Sequence, residues 1–368
     1  MEALYPVTAE GLETANLYLR AVDARFMKSV AYKELPFVGH DSTPFAGRAF
    51  SFYERCRIAQ YLNRNAEAFQ WVREASASRA CRYPLDFSRR ERSLPSQVDE
   101  LWQLSRSLAL KAVYEADGGD SVEVQATLLD CFALVESIRN EPFDASQYRR
   151  RSMIGTALET LEEVQSRVDF SGVQLAGLQA RLRAMEGYEP AINGYRGTLI
   201  QLQRDIDAAQ SRDSFGEPEY SDLLRELGTP SVEAYWSVGE ALIDAIPKPF
   251  PEALAEFKRV SAAYRGIQWS APSQLISIVQ TEASLRAAQV GLALGRYALA
   301  HAGLPDSLEA LVPDFLDRVP LDPFDGQPLR YRRVGEGFVV YSVGKNLVDD
   351  GGVRKVKSGE YHVLENRR

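Results

Sequence analysis

The sequence predicts a mainly α-helical protein in which a region of helical hairpins is followed by a long helix and a small antiparallel β-module. Two observations carry this prediction. Apolar residues recur at helical spacing from the N-terminus to about residue 302. Beyond about residue 304, prolines and glycines separate short segments in which apolar and charged residues alternate. We therefore assign residues 1–250 to the helical-hairpin region and residues 251–368 to the long helix and the β-module.

The composition is that of a folded, soluble protein, and it excludes some functional classes. Of the 368 residues, 45% are hydrophobic and 26% are charged, as in ordinary globular proteins. The formal net charge of −8 argues against a general nucleic-acid binder, which needs a basic surface. No stretch approaches the roughly 18 apolar residues of a membrane helix, and Met1 and Glu2 do not open a signal peptide. We expect a chain without a membrane span.

The cysteines exclude two kinds of scaffold. Cys56, Cys81 and Cys131 are far apart and have no CxxC spacing, so neither a zinc ribbon nor a disulfide-dense fold is indicated. We expect three buried thiols. A disulfide between Cys56 and Cys81 stays open, because the sequence does not identify the redox compartment.

The N-terminal helices are bounded by turn residues. Periodicity predicts a helix from Thr8 to Phe26, and the prolines and glycines within 31–46 predict a loop. One or two helices follow between residues 50 and 80, with a break and an N-cap at Asn63–Asn65. The stretch 81–87 is predicted to be non-helical, because Pro84 cannot lie inside a helix.

Residues 95–139 form the clearest helical hairpin. Gly118 and Gly119 are predicted to end its first helix, and Asp120 to cap the second. Glu123 stands at the spacing of a capping box with Asp120. Two helices joined by a short glycine turn resemble one tetratricopeptide hairpin, although no clean 34-residue repeat occurs elsewhere.

Further helices lead to the C-terminal module. Ser211–Gly228 is predicted to be a loop with a short helix, and Pro247–Pro251 a rigid connection. Pro272–His301 is predicted to be one long helix with an apolar stripe from Leu275 to Leu299. The other predicted helices cover residues 145–168, 171–186, 190–210, 230–246 and 251–265.

The last part of the chain has the pattern of turns and a β-hairpin. Residues 304–313 predict a turn and a short helix, and residues 320–326 predict tight turns. Leu329 and Tyr331 then alternate with arginines, which indicates a strand. A turn at 335–337 separates it from a second strand at 338–343.

This C-terminal region resembles that of the major pseudopilins of type II secretion, over about residues 275–352. The resemblance rests on the long helix, Leu304-Pro305-Asp306-Ser307-Leu308, the Leu-Val-Pro helix end, the segment 322–329 (DPFDGQPL) and 341–344 (YSVG). It implies a pseudopilin-like β-module. Pseudopilins assemble through an N-terminal hydrophobic helix, whereas the corresponding helix here is internal, so the module is expected to pack onto the helical region.

The whole chain also resembles a set of uncharacterised planctomycete-type bacterial proteins that pair a helical region with the same tail. The residues that carry this resemblance are 15–18 (ANLY), 81–86 (CRYPLD), the 95–139 hairpin and the tail. Members commonly begin with a membrane anchor. The resemblance therefore implies an envelope-associated bacterial protein whose anchor is missing from this chain.

One loop is a candidate ion site. In pseudopilins the loop that matches 342–352 binds calcium, so the resemblance implies Asn346, Asp349 and Asp350 as calcium ligands, with Ser342 nearby. Lys345 and Asn346 stand where pseudopilins have a neutral residue and an aspartate. Two carboxylates, one amide and backbone carbonyls would hold calcium only weakly. The alternative is a solvated turn without cofactor, in which Asn and Asp support the backbone.

No catalytic motif is visible, so we expect no catalytic or cofactor-binding residues. His40, His301 and His362 lack the spacing of zinc ligands. His301 is better explained by its place at a helix C-terminus. Carboxylate pairs and basic runs are expected on solvated faces or in local ion pairs, and the tryptophans in the core or in groove walls. The carboxylate pairs are Glu162/Glu163 and Asp205/Asp207, the basic runs are Arg89–Arg92 and Arg149–Arg151, and the tryptophans are Trp71, Trp102, Trp236 and Trp269.

The sequence therefore favours a non-enzymatic scaffold that binds a protein partner, linked to a bacterial envelope or secretion-type system. Helical hairpins typically offer concave peptide-binding surfaces. Two alternatives remain. The first is a hydrolase with a dispersed active site, which a deep pocket with clustered carboxylates or His301 would favour and a shallow polar groove would not. The second is a calcium-stabilised structural module.

Overall fold

The computed structural model describes residues 3–26, 34–39, 48–85, 96–210, 232–263, 271–352 and 364–366. These residues form a mainly helical protein with a small antiparallel sheet near the C-terminus, as predicted. The predicted loop at 211–228 lies outside them, as does most of the predicted loop at 31–46, of which residues 34–39 form turns. None of the described helices is long and apolar enough to cross a membrane.

The observed helices follow the predicted order closely. The helices are α1 (Ala9–Ala24), α2 (Phe52–Arg64), α3 (Ala66–Ala75), α4 (Ser96–Asp117), α5 (Ser121–Ser137), α6 (Asp144–Gln165), α7 (Gly172–Met185), α8 (Glu189–Gln210), α9 (Val232–Ala245), α10 (Phe250–Ala263) and α11 (Ala271–His301).

Side-chain caps explain several of the helix starts. The N–H of Gly11 donates to Thr8 Oγ1 at 3.0 Å at the start of α1, and Asp120 accepts from two N–H groups at the start of α5. The capping box expected for Glu123 is wrong, because its carboxylate pairs instead with Lys111 and Arg73, each at 3.1 Å. Reciprocal capping boxes occur at the starts of α2 and α7, formed by Ser51 with Glu54 and by Ser171 with Gln174.

Asn65 separates α2 from α3, but its role differs from the predicted one. Its side chain makes no cap hydrogen bond to α3. Instead its Oδ1 accepts from the N–H of Phe26 at 2.9 Å, and its Nδ2 donates to the carbonyl of Tyr61 at 2.9 Å. The fully buried amide thus fastens the end of α1 to α2.

Helix α11 is the central element of the core. It is apolar on most of its circumference, as expected for a helix with neighbours on several sides. It packs against α6, α7 and α10 and against the strands of the β-module, and its residues belong to three hydrophobic clusters. The residues it contributes are Leu285, Ala288 and Leu292 to the first cluster; Leu275, Ile278, Val279 and Ala283 to the second; and Ala287, Val290, Ala293 and Leu294 to the third. Leu299, predicted to belong to its apolar stripe, is exposed instead.

The β-module is built on a hairpin of β1 (Arg330–Val334) and β2 (Gly337–Tyr341). The strands are antiparallel with Arg330 opposite Tyr341, and Gly335 in the two-residue turn has a φ of +59°, which favours glycine. Leu364–Asn366 forms β3 along the other side of β2. Phe338 and Val340 project from β2 onto α11, together with Leu308 and Leu311 of a short 3₁₀ helix.

All three cysteines are free thiols. Cys131 is buried and Cys81 is half-buried, and burial raises the pKa of the Cys81 thiol to about 12. Cys56 is exposed, so the expectation of three buried thiols is wrong at this position.

Candidate functional site

The candidate calcium ligands lie in one loop after β2, where their oxygens already accept hydrogen bonds. Asn346 Oδ1 accepts from the N–H of Val348 at 3.1 Å. Asp349 Oδ1 accepts from the N–H of Gly351 at 3.0 Å and from the Tyr341 hydroxyl at 2.9 Å. Asp350 is half-buried in the same loop. Two of the three side chains thus support the backbone, and calcium binding stays a prediction.

Ser342 belongs to a different arrangement, which sequence reasoning missed. Its hydroxyl donates to Asp322 Oδ1 at 2.8 Å and accepts from the N–H of Gly344 at 3.0 Å. The fully buried Asp322 also accepts from the N–H groups of Phe324 at 3.0 Å and of Val343 at 2.8 Å. We call this arrangement the Asp322 hub. It fastens the turn that starts at residue 322 to the end of β2.

Arg330 supplies positive charge beside the hub. Its guanidinium pairs with both oxygens of Asp325 and lies 3.3 Å from Asp322 Oδ2. The hydrogen bond to Asp325 raises the pKa of Arg330, and the charges of Asp322 and Asp349 add to that effect. The described residues contain no group of three or more His, Cys, Asp or Glu arranged to hold a metal ion.

The structure describes only some of the residues weighed for catalysis. His301 stacks on Tyr297 at a ring-centroid distance of 4.2 Å and meets the Phe315 ring at 6.1 Å. Glu163, expected on the surface, is buried and accepts from Arg167 Nε at 2.9 Å, because α6 has neighbours on several sides. The side chains of Asp205 and Asp207 lie outside the described residues, and so do His40, His362, Trp269 and Arg89–Arg92.

The arginine run on α6 forms ion pairs rather than a solvated face. Arg150 is buried and pairs with Glu136. Arg149 pairs with Asp99, and its guanidinium lies 4.3 Å from the centre of the Trp102 ring. The ion-pair alternative is therefore confirmed for these two arginines.

A groove of about 620 Å³ lies between α7, α11 and residues 313–321. We call it the α7–α11 groove, and residues 313–321 its wall. The small side chains of Ala176 and Ala180 leave room on its floor. Its lining also includes four arginines and three carboxylates, which are Arg183, Arg286, Arg296 and Arg318 and Glu186, Asp314 and Asp317.

The wall is fastened to the helices at three points. Gln179 Nε2 donates to the carbonyl of Phe315 at 2.8 Å. Arg183 pairs with Asp317. Arg286 Nη1 donates to the carbonyl of Leu321 at 2.7 Å. The wall is therefore attached to both α7 and α11, and it forms one side of the groove.

Charge in the groove is only partly neutralised. Arg286 lies 2.9 Å from Glu282 and 3.5 Å from Glu186, and Arg183 pairs with Asp317. Arg296 Nη1, by contrast, donates only to neutral acceptors among the described residues, Gln179 Oε1 at 2.8 Å and the Phe315 carbonyl at 3.4 Å. Arg318 is exposed and pairs with no described carboxylate. The groove thus offers two guanidinium groups to an incoming acceptor.

A second cavity of about 460 Å³ lies between α8 and α9. Leu199, Ile200 and Ile243 form its apolar part. Trp236 stands in its wall, as predicted for a groove-wall tryptophan, and its Nε1 donates to Gln203 Oε1 at 2.6 Å. Its lining also contains Arg196, Glu240 and Asp244, so it carries one cation and two carboxylates, against four arginines in the α7–α11 groove.

Comparisons of the chain with models of protein families, with curated proteins and with solved structures find no match. Its function is therefore argued from the geometry of its own residues.

Proposed function

We propose that this protein is a non-enzymatic scaffold that binds a partner protein, and that an extended segment of the partner lies in the α7–α11 groove. One observation carries the proposal: in a groove of about 620 Å³ lined by four arginines and three carboxylates, Arg296 and Arg318 have no carboxylate partner among the described residues. Cofactor and small-molecule pockets of this volume are usually mostly apolar. A groove lined by charged residues is better suited to a peptide segment, which has many hydrogen-bonding groups, than to a mostly apolar small molecule.

The sequence resemblances support the same proposal at a finer level. The α4–α5 hairpin resembles a tetratricopeptide hairpin, a unit that commonly binds peptides. The resemblance of the C-terminal module to pseudopilins favours a bacterial envelope or secretion-type system as the setting. We favour a scaffold over a hydrolase because His301 stacks on an aromatic ring, and because the groove carboxylates Asp317 and Glu186 are engaged by Arg183 and Arg286.

Selection of peptides from a random display library tests the proposal. We expect extended peptides to be enriched, and their affinity to fall at least about tenfold when Ala180→Trp fills the groove floor. Ala180 is exposed, so the larger side chain leaves the core intact. Ala145→Trp, at an exposed position of α6 outside the groove lining, is the matched control and should leave binding unchanged. Enriched peptides that bind the Ala180→Trp variant normally would contradict the proposal.

A further inference from the structure

Arg296 differs from Arg183 and Arg286 in the groups that accept its hydrogen bonds. Arg183 and Arg286 each meet a carboxylate, which neutralises most of their charge. Arg296 is half-buried, yet its acceptors among the described residues are an amide oxygen and a backbone carbonyl. A half-buried guanidinium with neutral acceptors keeps its full charge and its affinity for a carboxylate.

The guanidinium of Arg296 is also held in a defined orientation. It lies over the Phe315 ring, 5.3 Å from the ring centre. Gln179 fixes it from the side, because its Oε1 accepts from Arg296 while its Nε2 donates to the Phe315 carbonyl. Only Nη1 is used in these bonds, so the other N–H groups of the fork are available within the described structure. A planar fork held in this way loses little freedom when it binds a carboxylate through two hydrogen bonds.

The wall contributes a second cation and one opposing charge. Arg318 lies on the wall, is exposed and pairs with no described carboxylate. Asp317 is occupied by Arg183, but Asp314 is an exposed carboxylate on the same wall. The lining carries four arginines and three carboxylates, and Glu282 adds a carboxylate beside Arg286, so the positive charge that is left without a counter-ion is localised at Arg296 and Arg318. Such localised charge attracts an acidic segment and repels a basic one.

We propose that the α7–α11 groove selects an acidic extended segment, in which an Asp or Glu side chain pairs with the Arg296 fork and further negative charge lies near Arg318. This inference rests on the proposed function and specifies the chemistry of the partner. The recognised group is the carboxylate of an acidic side chain, which can accept two hydrogen bonds from the guanidinium fork.

Fluorescence polarisation with labelled peptides tests this specificity in the full chain. The peptides have blocked termini and one sequence, taken from the library selection, with Glu, Gln or Lys at the variable positions. We expect the Glu peptide to bind at least about tenfold more tightly than the Gln peptide, and the Lys peptide most weakly. The advantage of the Glu peptide should shrink as salt rises, because the charges are partly screened.

Substitutions test whether Arg296 and Arg318 cause the preference for the Glu peptide. Arg296→Gln should remove the preference for Glu over Gln, and Arg318→Gln, at an exposed position, should reduce it about two- to fivefold without affecting folding. Asp314→Asn should strengthen binding of the Glu peptide. Arg259→Gln is the matched control, since Arg259 is an exposed arginine of α10 that pairs with Glu256.

The outcomes separate this inference from the proposed function. Equal binding of the Glu and Gln peptides to the unmodified protein would overturn the acidic specificity and leave the scaffold proposal standing. A preference that survives both Arg296→Gln and Arg318→Gln would also overturn it. Failure of every peptide to bind, together with no enrichment from the library, would count against the proposed function itself.

Discussion

The Asp322 hub and the α7–α11 groove are neighbours in the chain, but their charged groups are used in opposite ways. In the hub, the buried Asp322 carboxylate accepts from two N–H groups and a hydroxyl, and Arg330 lies 3.3 Å away. In the groove, Arg296 meets only neutral acceptors among the described residues. A charge whose bonding is complete contributes to the fold, whereas a charge that lacks its counter-ion is available for binding. Substitutions in the hub should therefore change stability, and substitutions in the groove should change affinity.

The largest effect is expected from Asp322→Ala. This substitution leaves the buried N–H groups of Phe324 and Val343 without their acceptor, and it should lower the free energy of unfolding by about 3–5 kcal/mol. Urea denaturation measures the change. Asp306→Ala is the control, because Asp306 is fully exposed and solvent screens its pair with Arg333, so the variant should keep the stability of the unmodified protein. Equal stability of the two variants would show that the hub is not needed for the fold.

Arg330→Gln should have a smaller, pH-dependent effect. Burial alone would raise the pKa of Asp325, but hydrogen bonds from Arg330 and from the N–H of Gln327 outweigh it and hold that pKa below its usual value. A carboxyl whose pKa is lower in the folded state adds stability above its unfolded pKa. That stability is lost as the pH falls through the folded pKa.

The variant should therefore be less stable than the unmodified protein by about 1–2 kcal/mol at neutral pH. The difference should begin to shrink once the pH falls below the ordinary pKa of an aspartate, and it should disappear as Asp325 becomes protonated at its lowered pKa. Urea denaturation at neutral and acidic pH measures it. A difference that stays constant over this range would mean that Arg330 stabilises the module by packing and not by its charge.

The helical architecture was accessible from the sequence because its signals are local. Thr8 and Asp120 cap the helices that periodicity predicted, and α11 spans Ala271–His301 against the predicted Pro272–His301. The hairpin turn at Gly335 was likewise marked by its own residues. Such features depend on neighbours within a few positions, which a pattern along the chain records.

The hub and the groove were not accessible because their partners are distant in sequence. Asp322 bonds to Ser342 and Val343, about twenty positions away, and the groove joins α7 to α11 across more than one hundred. Periodicity predicts that a helix has a buried face but not what will cover it. The sequence did contain one indication of the groove: Arg286, Gln289 and Arg296 are spaced as one polar stripe on the C-terminal half of α11, which is otherwise mostly apolar. That stripe now forms part of the groove lining.

Gln179→Glu should place a carboxylate beside Arg296, as Asp322 and Asp325 lie beside Arg330 in the hub. The new carboxylate would lie beside Arg296, at the place where Gln179 Oε1 now accepts at 2.8 Å. The affinity for the Glu peptide should fall about tenfold, while the free energy of unfolding should change by less than about 1 kcal/mol. Gln179→Met, which removes the hydrogen bonds without adding charge, is the control and should lower affinity less. Tighter binding by the Gln179→Glu variant would contradict the role assigned to the free charge of Arg296.

The smallest effect is expected from calcium. The resemblance to pseudopilins implies ligands at Asn346, Asp349 and Asp350, but Asn346 Oδ1 and Asp349 Oδ1 already accept hydrogen bonds within the loop. Arg330 already supplies positive charge to the adjacent carboxylates. Calcium would have to displace these contacts, and two carboxylates with one amide form a weak site.

Thermal unfolding in millimolar calcium and in excess chelator should therefore give midpoints that agree within about 1 °C, with magnesium as the control for general salt effects. A larger rise with calcium that Asp349→Asn abolishes would restore the loop as an ion site. The calcium loop would then be a second charged site with incomplete bonding, located in the C-terminal module. The distinction between a fully bonded hub and a groove with unpaired arginines would no longer hold.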